Sequence, residues 1–182
     1  MNKQFPYILL FFILTTFIMT GCTGSAYLNT FVKPPESIYH RNDLKLLVNG
    51  GYRLNNLSAY GETQLQFEEI LLESLRNRSR YQEISLVKDK SIDNGDLLMV
   101  VTIDHVNYVS TGARLVSGVF AGTANFKTRV ELYQDSPENR ISEMICGTTS
   151  KVSQGVFGAS TDYQMKLVAE KIAEEFSKKA SE

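Results

Sequence analysis

A single cysteine closes an apolar run near the start of the 182-residue chain, and it is the clearest candidate for chemistry. The run extends from Tyr7 to Cys22 and reads Y-I-L-L-F-F-I-L-T-T-F-I-M-T-G-C, with polar sequence directly after it. It is shorter than the roughly 20 apolar residues that a spanning helix needs, and it ends in small residues, as a secretory signal does. Gly21 is small and leaves the backbone open to a peptidase, and the next residue, Cys22, carries a nucleophilic thiol. The run therefore predicts a secretory signal with a processing site after Gly21.

The run resembles the bacterial lipoprotein signal, in which a small residue precedes the cysteine that takes the lipid. The resemblance implies that residues 1–21 are removed and that Cys22 carries three acyl chains. Such an anchor is essentially permanent, because each buried CH₂ contributes about 0.8 kcal/mol. Thr23 stands where inner-membrane lipoproteins commonly have Asp, which implies an outer-membrane lipoprotein facing the periplasm of a Gram-negative bacterium. The alternative is an ordinary cleaved signal in which Cys22 is a bystander.

The other groups that could react are few, and they do not combine into a catalytic set. His40 lies in the polar segment after the signal, and His105 lies in an expected strand, where a structural role is favoured over that of a base. Asp104 is expected on a strand surface and Asp162 at a helix cap. Once the amino-terminal cysteine is lipidated, Cys146 is either buried and inert, which we favour, or paired with another chain. Without a nucleophile elbow or metal-ligand spacing, the sequence predicts no enzyme, no metal site and no cofactor.

The charge balance argues against a nucleic-acid partner. The formal net charge of the chain is −1, and loss of Lys3 with the signal makes the mature protein more negative. Nucleic-acid binding relies on a basic surface, which this composition does not supply. Hydrophobic residues at 43% and charged residues at 21% are typical of one globular domain with a core.

Periodicity and turn signals predict one domain over residues 43–182, behind a tether. Residues 22–42 are expected to comprise the lipidated cysteine and a polar tether that a proline pair keeps extended. Strands are expected where apolar residues alternate or run unbroken, and helices where they recur at helical spacing. The expected strands are Leu44–Val48, Tyr81–Val87, Leu97–Tyr108, Asn125–Tyr133 and Ile141–Val152, and the expected helices are Gly61–Arg78 and Tyr163–Lys179.

The order of these elements predicts an α+β fold. The last three strands follow one another through short or glycine-rich connections and predict an antiparallel meander. Thr161, with Gln164 three residues later, resembles a capping box at the start of the second helix. We therefore expect a mostly antiparallel sheet of about five strands with two helices packed on one face.

The stretch V-S-T-G-A-R-L-V-S-G-V-F-A-G-T, residues 109–123, is unusual for its glycines and its single charge. It is neither a phosphate-binding nor a dinucleotide-binding loop, because no Gly-Lys-Ser/Thr follows it and no helix is expected after it. One interpretation is a long connection whose glycines permit positive φ. The other is a partner-binding or membrane-touching flap with Arg114 as its charged contact. The candidate residues of this flap are Gly112, Arg114, Gly118, Phe120 and Gly122.

These pieces together resemble an uncharacterised bacterial lipoprotein family, catalogued as domain of unknown function 4410. The matching pieces are Leu97–Val106, Gly112-Ala113-Arg114, Gly118–Gly122, Ala124–Tyr133, Gly155–Gly158 and Tyr163–Phe176. The resemblance covers the chain from Leu44 to Lys178 and implies an α+β envelope domain with no assigned activity.

The sequence thus predicts a lipid-anchored, non-catalytic protein of the cell envelope. It would act as a periplasmic binding or assembly module for another envelope protein. The alternative function is a carrier of a small amphiphilic ligand such as a lipid, held between the helices and the sheet. A pocket with unfilled volume lined by Phe126, Val130 and Phe176 would favour that alternative.

Overall fold

A computed structural model describes residues 25–51, 60–107, 125–149 and 160–177. Within these ranges the chain forms six strands, two α-helices and a short 3₁₀ helix over Glu36–His40. The elements are β1 Ala26–Val32, β2 Asp43–Gly50, α1 Tyr60–Arg78, β3 Glu83–Leu86, β4 Leu97–Asn107, β5 Asn125–Gln134, β6 Arg140–Thr149 and α2 Thr161–Glu175. Every predicted helix and strand is present, with ends that differ by a few residues, and β1 was not predicted.

The six strands form one mixed sheet in the order β1-β6-β5-β4-β2-β3. The meander of β4, β5 and β6 is antiparallel, as predicted, and β1 is added antiparallel to β6. In contrast, β2 lies parallel to both β3 and β4. The expectation of a mostly antiparallel sheet of about five strands is therefore wrong: the sheet is mixed and has six strands. The reason is that α1 connects β2 to β3 as a crossover, and a crossover places its two strands parallel.

Both helices pack against the same face of the sheet, which we call the helix face. Phe67, Leu71 and Leu75 recur every four residues along α1 and are fully buried, so one stripe of that helix faces the strands. The buried residues of α2 join the same cluster, and the ring of Phe67 lies 4.7 Å from the ring of Phe126 in β5, centroid to centroid. This aromatic contact ties α1 to the centre of the sheet.

The opposite face of the sheet is covered in part by the connection from β3 to β4. Val87 and Ile92 of this connection pack on a second, smaller cluster. Its buried members are Leu47, Leu98, Val100 and Tyr133. The Nζ atom of Lys90 lies 4.4 Å from the Tyr133 ring centroid and donates a hydrogen bond of 3.0 Å to its hydroxyl group. As a result β4 is buried on both faces from Leu97 to Val101, as its unbroken apolar run predicted.

The segment expected to be a tether belongs to the fold. Ala26–Val32 forms β1 and pairs with β6, and Ser142 of β6 donates a side-chain hydrogen bond of 2.8 Å to the carbonyl of Val32. Ile38 in the 3₁₀ helix is fully buried in the main core. The tether interpretation is therefore wrong for residues 26–40. The chain stays on the domain here because it pairs with an edge strand and buries apolar side chains, which a solvated tether does not do.

The start of α2 differs from the prediction by one residue. Ser160 is the N-cap, and its hydroxyl group accepts a hydrogen bond of 3.4 Å from the backbone N–H of Tyr163. The expected capping box of Thr161 and Gln164 is wrong, since Thr161 is already inside the helix. No helix within the described ranges is long and apolar enough to cross a bilayer.

Candidate functional site

The residues predicted to carry the anchor and the flap lie outside the described ranges. These residues are Gly21, Cys22, Gly112, Arg114, Gly118, Phe120 and Gly122. The strands that flank them are described, however, and the register of those strands fixes where each segment leaves the domain.

The amino-terminal segment, which carries the predicted anchor, and segment 108–124, which carries the expected flap, join the sheet at the same end. Asn107, the last residue of β4, pairs with Asn125, the first residue of β5, so the two ends of segment 108–124 are neighbours. Asn125 also pairs with the last residue of β6, and Thr148 beside it pairs with Ala26, where β1 begins. We call this end, defined by Ala26, Asn107, Asn125 and Thr148, the loop end. The amino-terminal segment and the expected flap are therefore joined to one side of the domain.

Two further elements reach the loop end. Helix α2 starts there, since the hydroxyl group of Thr161 donates a hydrogen bond of 3.5 Å to the carbonyl of Asn107. Strand β2 ends there, and the ring of Tyr60, at the start of α1, lies against Gly50 so closely that a Cβ atom on Gly50 would be 2.2 Å from the Tyr60 hydroxyl oxygen. Burial raises the pKa of Tyr60 to about 12, because the phenolate form loses its hydration. A larger residue at position 50 would therefore force the Tyr60 ring to shift.

The opposite end of the sheet holds a polar cleft of about 350 Å³. It is lined by Arg41, Asn42, Asp43, Leu44, Lys45, Glu83, Ser85, Gly95, Asp96 and Leu97. The Nζ atom of Lys45 lies 2.5 Å from a carboxylate oxygen of Asp96, and the same oxygen accepts a hydrogen bond of 2.8 Å from the backbone N–H of Asp93. These contacts fasten the β3–β4 connection to β2.

A second set of contacts fastens the same connection to the turn between β5 and β6. Gly95, at a φ of 98°, donates its N–H to a carboxylate oxygen of Asp135 at 2.8 Å, and its carbonyl accepts a hydrogen bond from Arg41. Arg41 also lies 3.6 Å from that carboxylate. Hydrogen bonding and charge from Lys45 hold the pKa of Asp96 below its usual value, and Asp96 in turn raises the pKa of Lys45. The cations of the cleft, Arg41 and Lys45, are each paired with a carboxylate, and these contacts hold the loops at this end of the sheet together.

The isolated groups considered for chemistry are dispersed over the fold. Asp104 lies on a strand surface, as predicted, with its carboxylate 3.4 Å from the guanidinium of Arg129. His105 is exposed on β4, and Asp162 lies in the first turn of α2, after the cap. No group of three or more His, Cys, Asp and Glu side chains within the described ranges is placed to hold a metal ion.

Cys146 is buried, as predicted. Its side chain is inaccessible in β6, with the sulfur 3.8 Å from the carbonyl of Val168 in α2. Burial raises the pKa of the thiol to about 12, since the thiolate would be desolvated. The group is therefore a packing residue of the helix face rather than a nucleophile.

The space expected to hold an amphiphilic ligand is occupied by side chains. Phe126, Val130 and Phe176, which were expected to line a pocket, are all fully buried in the main core. Phe67 fills the side of Phe126 that faces α1, and the ring of Tyr81 lies 6.5 Å from that of Phe176, centroid to centroid. These residues are close-packed, as core residues are.

The edge strand β1 is a surface that sequence reasoning missed. Among the described residues, it carries three of the five large hydrophobic side chains that are exposed: Tyr27 at 39%, Phe31 at 64% and Val32 at 44%. The sequence of β1, A-Y-L-N-T-F-V, contains no charged residue. That absence of charge is the signal that could have indicated the surface before the structure was known.

Comparison with known proteins identifies the fold. No family model and no curated protein sequence matches the chain. The solved structures that it resembles include dodecamers of PelC from Paraburkholderia phytofirmans. The chain shares the PelC fold. One dodecamer gives a TM-score of 0.54 at 11% identity, and a dodecamer of a single-residue variant gives 0.52 at 10% identity. Both matches cover 85% of this chain and 98% of the PelC chain.

Proposed function

We propose that the protein is a lipid-anchored, non-catalytic module of the cell envelope that assembles with copies of itself and binds an envelope partner at its loop end. The acyl chains would be carried by Cys22 after removal of residues 1–21, in the outer membrane and facing the periplasm. The resemblance of residues 7–22 to a lipoprotein signal supports the anchor, and the placement of β1 supports the position of the domain.

The observation that carries the proposal is the short distance along the chain from Cys22 to the fold. Strand β1 begins at Ala26, so only residues 23–25 separate the anchor from the sheet. An extended chain advances at most about 3.6 Å per residue, which places the start of β1 within roughly 14 Å of the lipidated residue. With so short a segment between the anchor and β1, the domain lies at the membrane surface with its loop end towards the bilayer.

The expected flap then lies on the membrane side of the domain. Segment 108–124 begins and ends at the loop end, beside the start of β1. Its candidate contact residues are Gly112, Arg114, Gly118, Phe120 and Gly122, as expected from the sequence. A partner that is itself embedded in or bound to the outer membrane can reach this end of the domain most directly.

Assembly with copies of itself is supported by the structural neighbours. PelC, whose chain is matched over 98% of its length, forms dodecamers. A binding and assembly role is also supported by the dispersal of the groups that could react, with His105 exposed on a strand and Cys146 enclosed in the core. The alternative of an amphiphile carrier is less favoured, since Phe126, Val130 and Phe176, which were expected to line its pocket, are fully buried in the core.

The anchor is tested by replacing its thiol. We expect Cys22→Ser to move the protein from the membrane pellet to the soluble fraction, because no acyl chain can be attached. The matched control is Cys146→Ala, which removes the other cysteine and should leave the protein in the membrane pellet. Mass spectrometry of the mature amino terminus gives the direct measurement: an unmodified Cys22, or a chain that starts at another residue, contradicts the proposal.

Self-assembly is tested on the lipidated protein in mild detergent. Light scattering coupled to size-exclusion chromatography is expected to give a particle of several copies of the chain. A protein that remains monomeric at every concentration while carrying its lipid would contradict the assembly part of the proposal and leave the anchor part standing.

A further inference from the structure

We propose that β1, whose outer edge is paired with no other strand of the described ranges, is the strand through which one copy of this chain binds the next, by adding that edge to the β3 edge of a neighbouring copy. The inference rests on the proposed self-assembly and assigns the contact that produces it. It is argued from the composition of β1, its exposure and the directions of the strands.

Strand β1 lacks the charged side chains and prolines that protect many edge strands from pairing with another chain. Natural edges are blunted by charged side chains, by proline or by very short length, because their backbone groups are a template for a further strand. Of the six strands in the described ranges, β1 alone contains no charged residue, and it is seven residues long without a proline. The register shifts between Thr30 and Val32, so the strand has an irregularity at Phe31, while its pairing with β6 is regular from Ala26 to Thr30.

The side chains on β1 add an apolar surface to this open edge. Phe31, which lies at the register shift, is 64% exposed, and Val32, which pairs with Glu143 of β6, is 44% exposed. Exposed aromatic residues grouped on one element mark interaction sites more often than isolated ones do. The opposite edge of the sheet, β3, also exposes a large apolar side chain, Leu86 at 46%.

Strand directions decide which edge of the neighbour β1 can meet. Strand β1 runs antiparallel to β6, and following the pairings across the sheet shows that β3 runs opposite to β1. Copies anchored in the same leaflet all point their β1 strands away from the membrane. An antiparallel pair of two β1 strands would require one copy to be inverted, with its anchor on the wrong side. Upright copies can instead join β1 of one to β3 of the next in antiparallel fashion.

This contact is head-to-tail, since it uses a different edge on each copy. Contacts of that type build rings when the rotation between copies closes, with every copy in the same orientation relative to the axis. All the anchors then lie on one side of the ring. The arrangement therefore satisfies the membrane constraint and leaves the loop end of every copy facing the bilayer.

The first test compares two exposed apolar residues of nearly equal accessibility. Phe31→Lys places a charge on β1, and the control Leu65→Lys places the same charge on α1, where Leu65 is 66% exposed. In the full-length lipidated protein in detergent, we expect Phe31→Lys to weaken self-association by at least about tenfold in apparent dissociation constant, because a lysine blocks edge pairing. Leu65→Lys should assemble like the unaltered protein. Thermal unfolding of both variants checks that the fold is kept.

The second test fixes the partner edge. Asn29 on β1 and Ser85 on β3 are both exposed and both face away from the helices. Under mild oxidation, a chain with both Asn29→Cys and Ser85→Cys should form a ladder of covalent oligomers, whereas each single variant should form none. Efficient dimers of Asn29→Cys alone would overturn the assignment to β3.

The outcomes separate this inference from the proposed function. If the unaltered protein is oligomeric and Phe31→Lys is oligomeric to the same extent, the assignment of β1 is wrong and the proposed self-assembly remains. If the unaltered lipidated protein is monomeric, both fail. If Leu65→Lys disrupts assembly as strongly as Phe31→Lys, the contact is not specific to β1 and the inference is overturned.

Discussion

Replacement of Ile38 by alanine tests whether the segment before β2 is part of the folded domain. Ile38 is completely inaccessible in the short 3₁₀ helix over Glu36–His40 and belongs to the main core. The change removes three carbon atoms, at about 0.8 kcal/mol for each buried CH₂, or roughly 2.4 kcal/mol of transfer free energy. The cavity left in a close-packed core adds to this, so we expect a loss of about 3–4 kcal/mol in the free energy of unfolding.

The measurement is urea unfolding of the purified lipoprotein in mild detergent, followed by far-ultraviolet circular dichroism. For a domain of this size, 1 kcal/mol corresponds to roughly 2–4 °C, so the midpoint of thermal unfolding should fall by about 6–16 °C. The matched control is Ser37→Ala, which changes the exposed neighbouring residue. We expect it to stay within about 0.5 kcal/mol of the unaltered protein.

A tether would respond differently. If residues 23–42 were a solvated linker, as the sequence suggests, Ile38→Ala would have no more effect than Ser37→Ala. Equal unfolding midpoints for the two variants would therefore refute the packing of residues 36–40 on the core.

Three further predictions concern the two ends of the sheet and the core. Gly50→Ala should lower the free energy of unfolding by about 1–3 kcal/mol in urea titrations, because a tyrosine ring occupies the position of the added Cβ atom. The control is Gly61→Ala, which adds a Cβ atom with nothing within 4 Å and should raise the free energy of unfolding by up to about 1 kcal/mol. Cys146 should resist alkylation by iodoacetamide at pH 8, as measured by mass spectrometry, until urea unfolds the protein; fast labelling of the native state would contradict its burial. The lowered pKa of Asp96 means that its pairing with Lys45 stabilises the fold above the carboxyl group's unfolded pKa and is lost as pH falls through its folded value. Urea midpoints should therefore fall less between pH 6 and pH 3 for Asp96→Asn than for the unaltered protein; identical pH dependence would show that the pair contributes nothing.

Local patterns predicted the elements whose signals are long and periodic. The helix α1 was predicted from the spacing of Phe67, Leu71 and Leu75, and the meander from the alternation along β5 and the turns between strands. The order of β4, β5 and β6 in the sheet could be predicted as well, because neighbouring antiparallel strands need only short connections. The buried state of Cys146 was also predicted, since a lone cysteine inside an apolar strand has few other roles.

The pairing of distant strands could not be predicted in the same way. Strand β2 lies between β3 and β4, and nothing within its own sequence indicates that it is parallel to both. Strand β1 was missed because its seven residues follow a polar stretch and precede two prolines, which together are typical of a linker. It is stabilised by β6, which no local pattern near β1 reveals.

The candidate sites also differ in whether they depend on adjacent residues or on residues distant in the chain. Cys22 follows from a motif whose chemistry depends on adjacent residues, so the sequence is sufficient to propose it. The cleft depends on Arg41, Lys45, Asp96 and Asp135, which come together only when three separate loops meet. The edge formed by β1 became visible only once its position at the margin of the sheet was known.

The pairing of β1 with β6 also sets the order in which the protein can be completed. Ser142 and Val32 are joined by a hydrogen bond although they are 110 positions apart in the chain. During synthesis β1 emerges long before β6, so β1 has no partner strand until residues 140–149 have been made. An apolar, uncharged strand left waiting is vulnerable to capture by other chains. The interval between synthesis of β1 and synthesis of β6 is therefore the period in which this uncharged strand is most open to pairing with another chain.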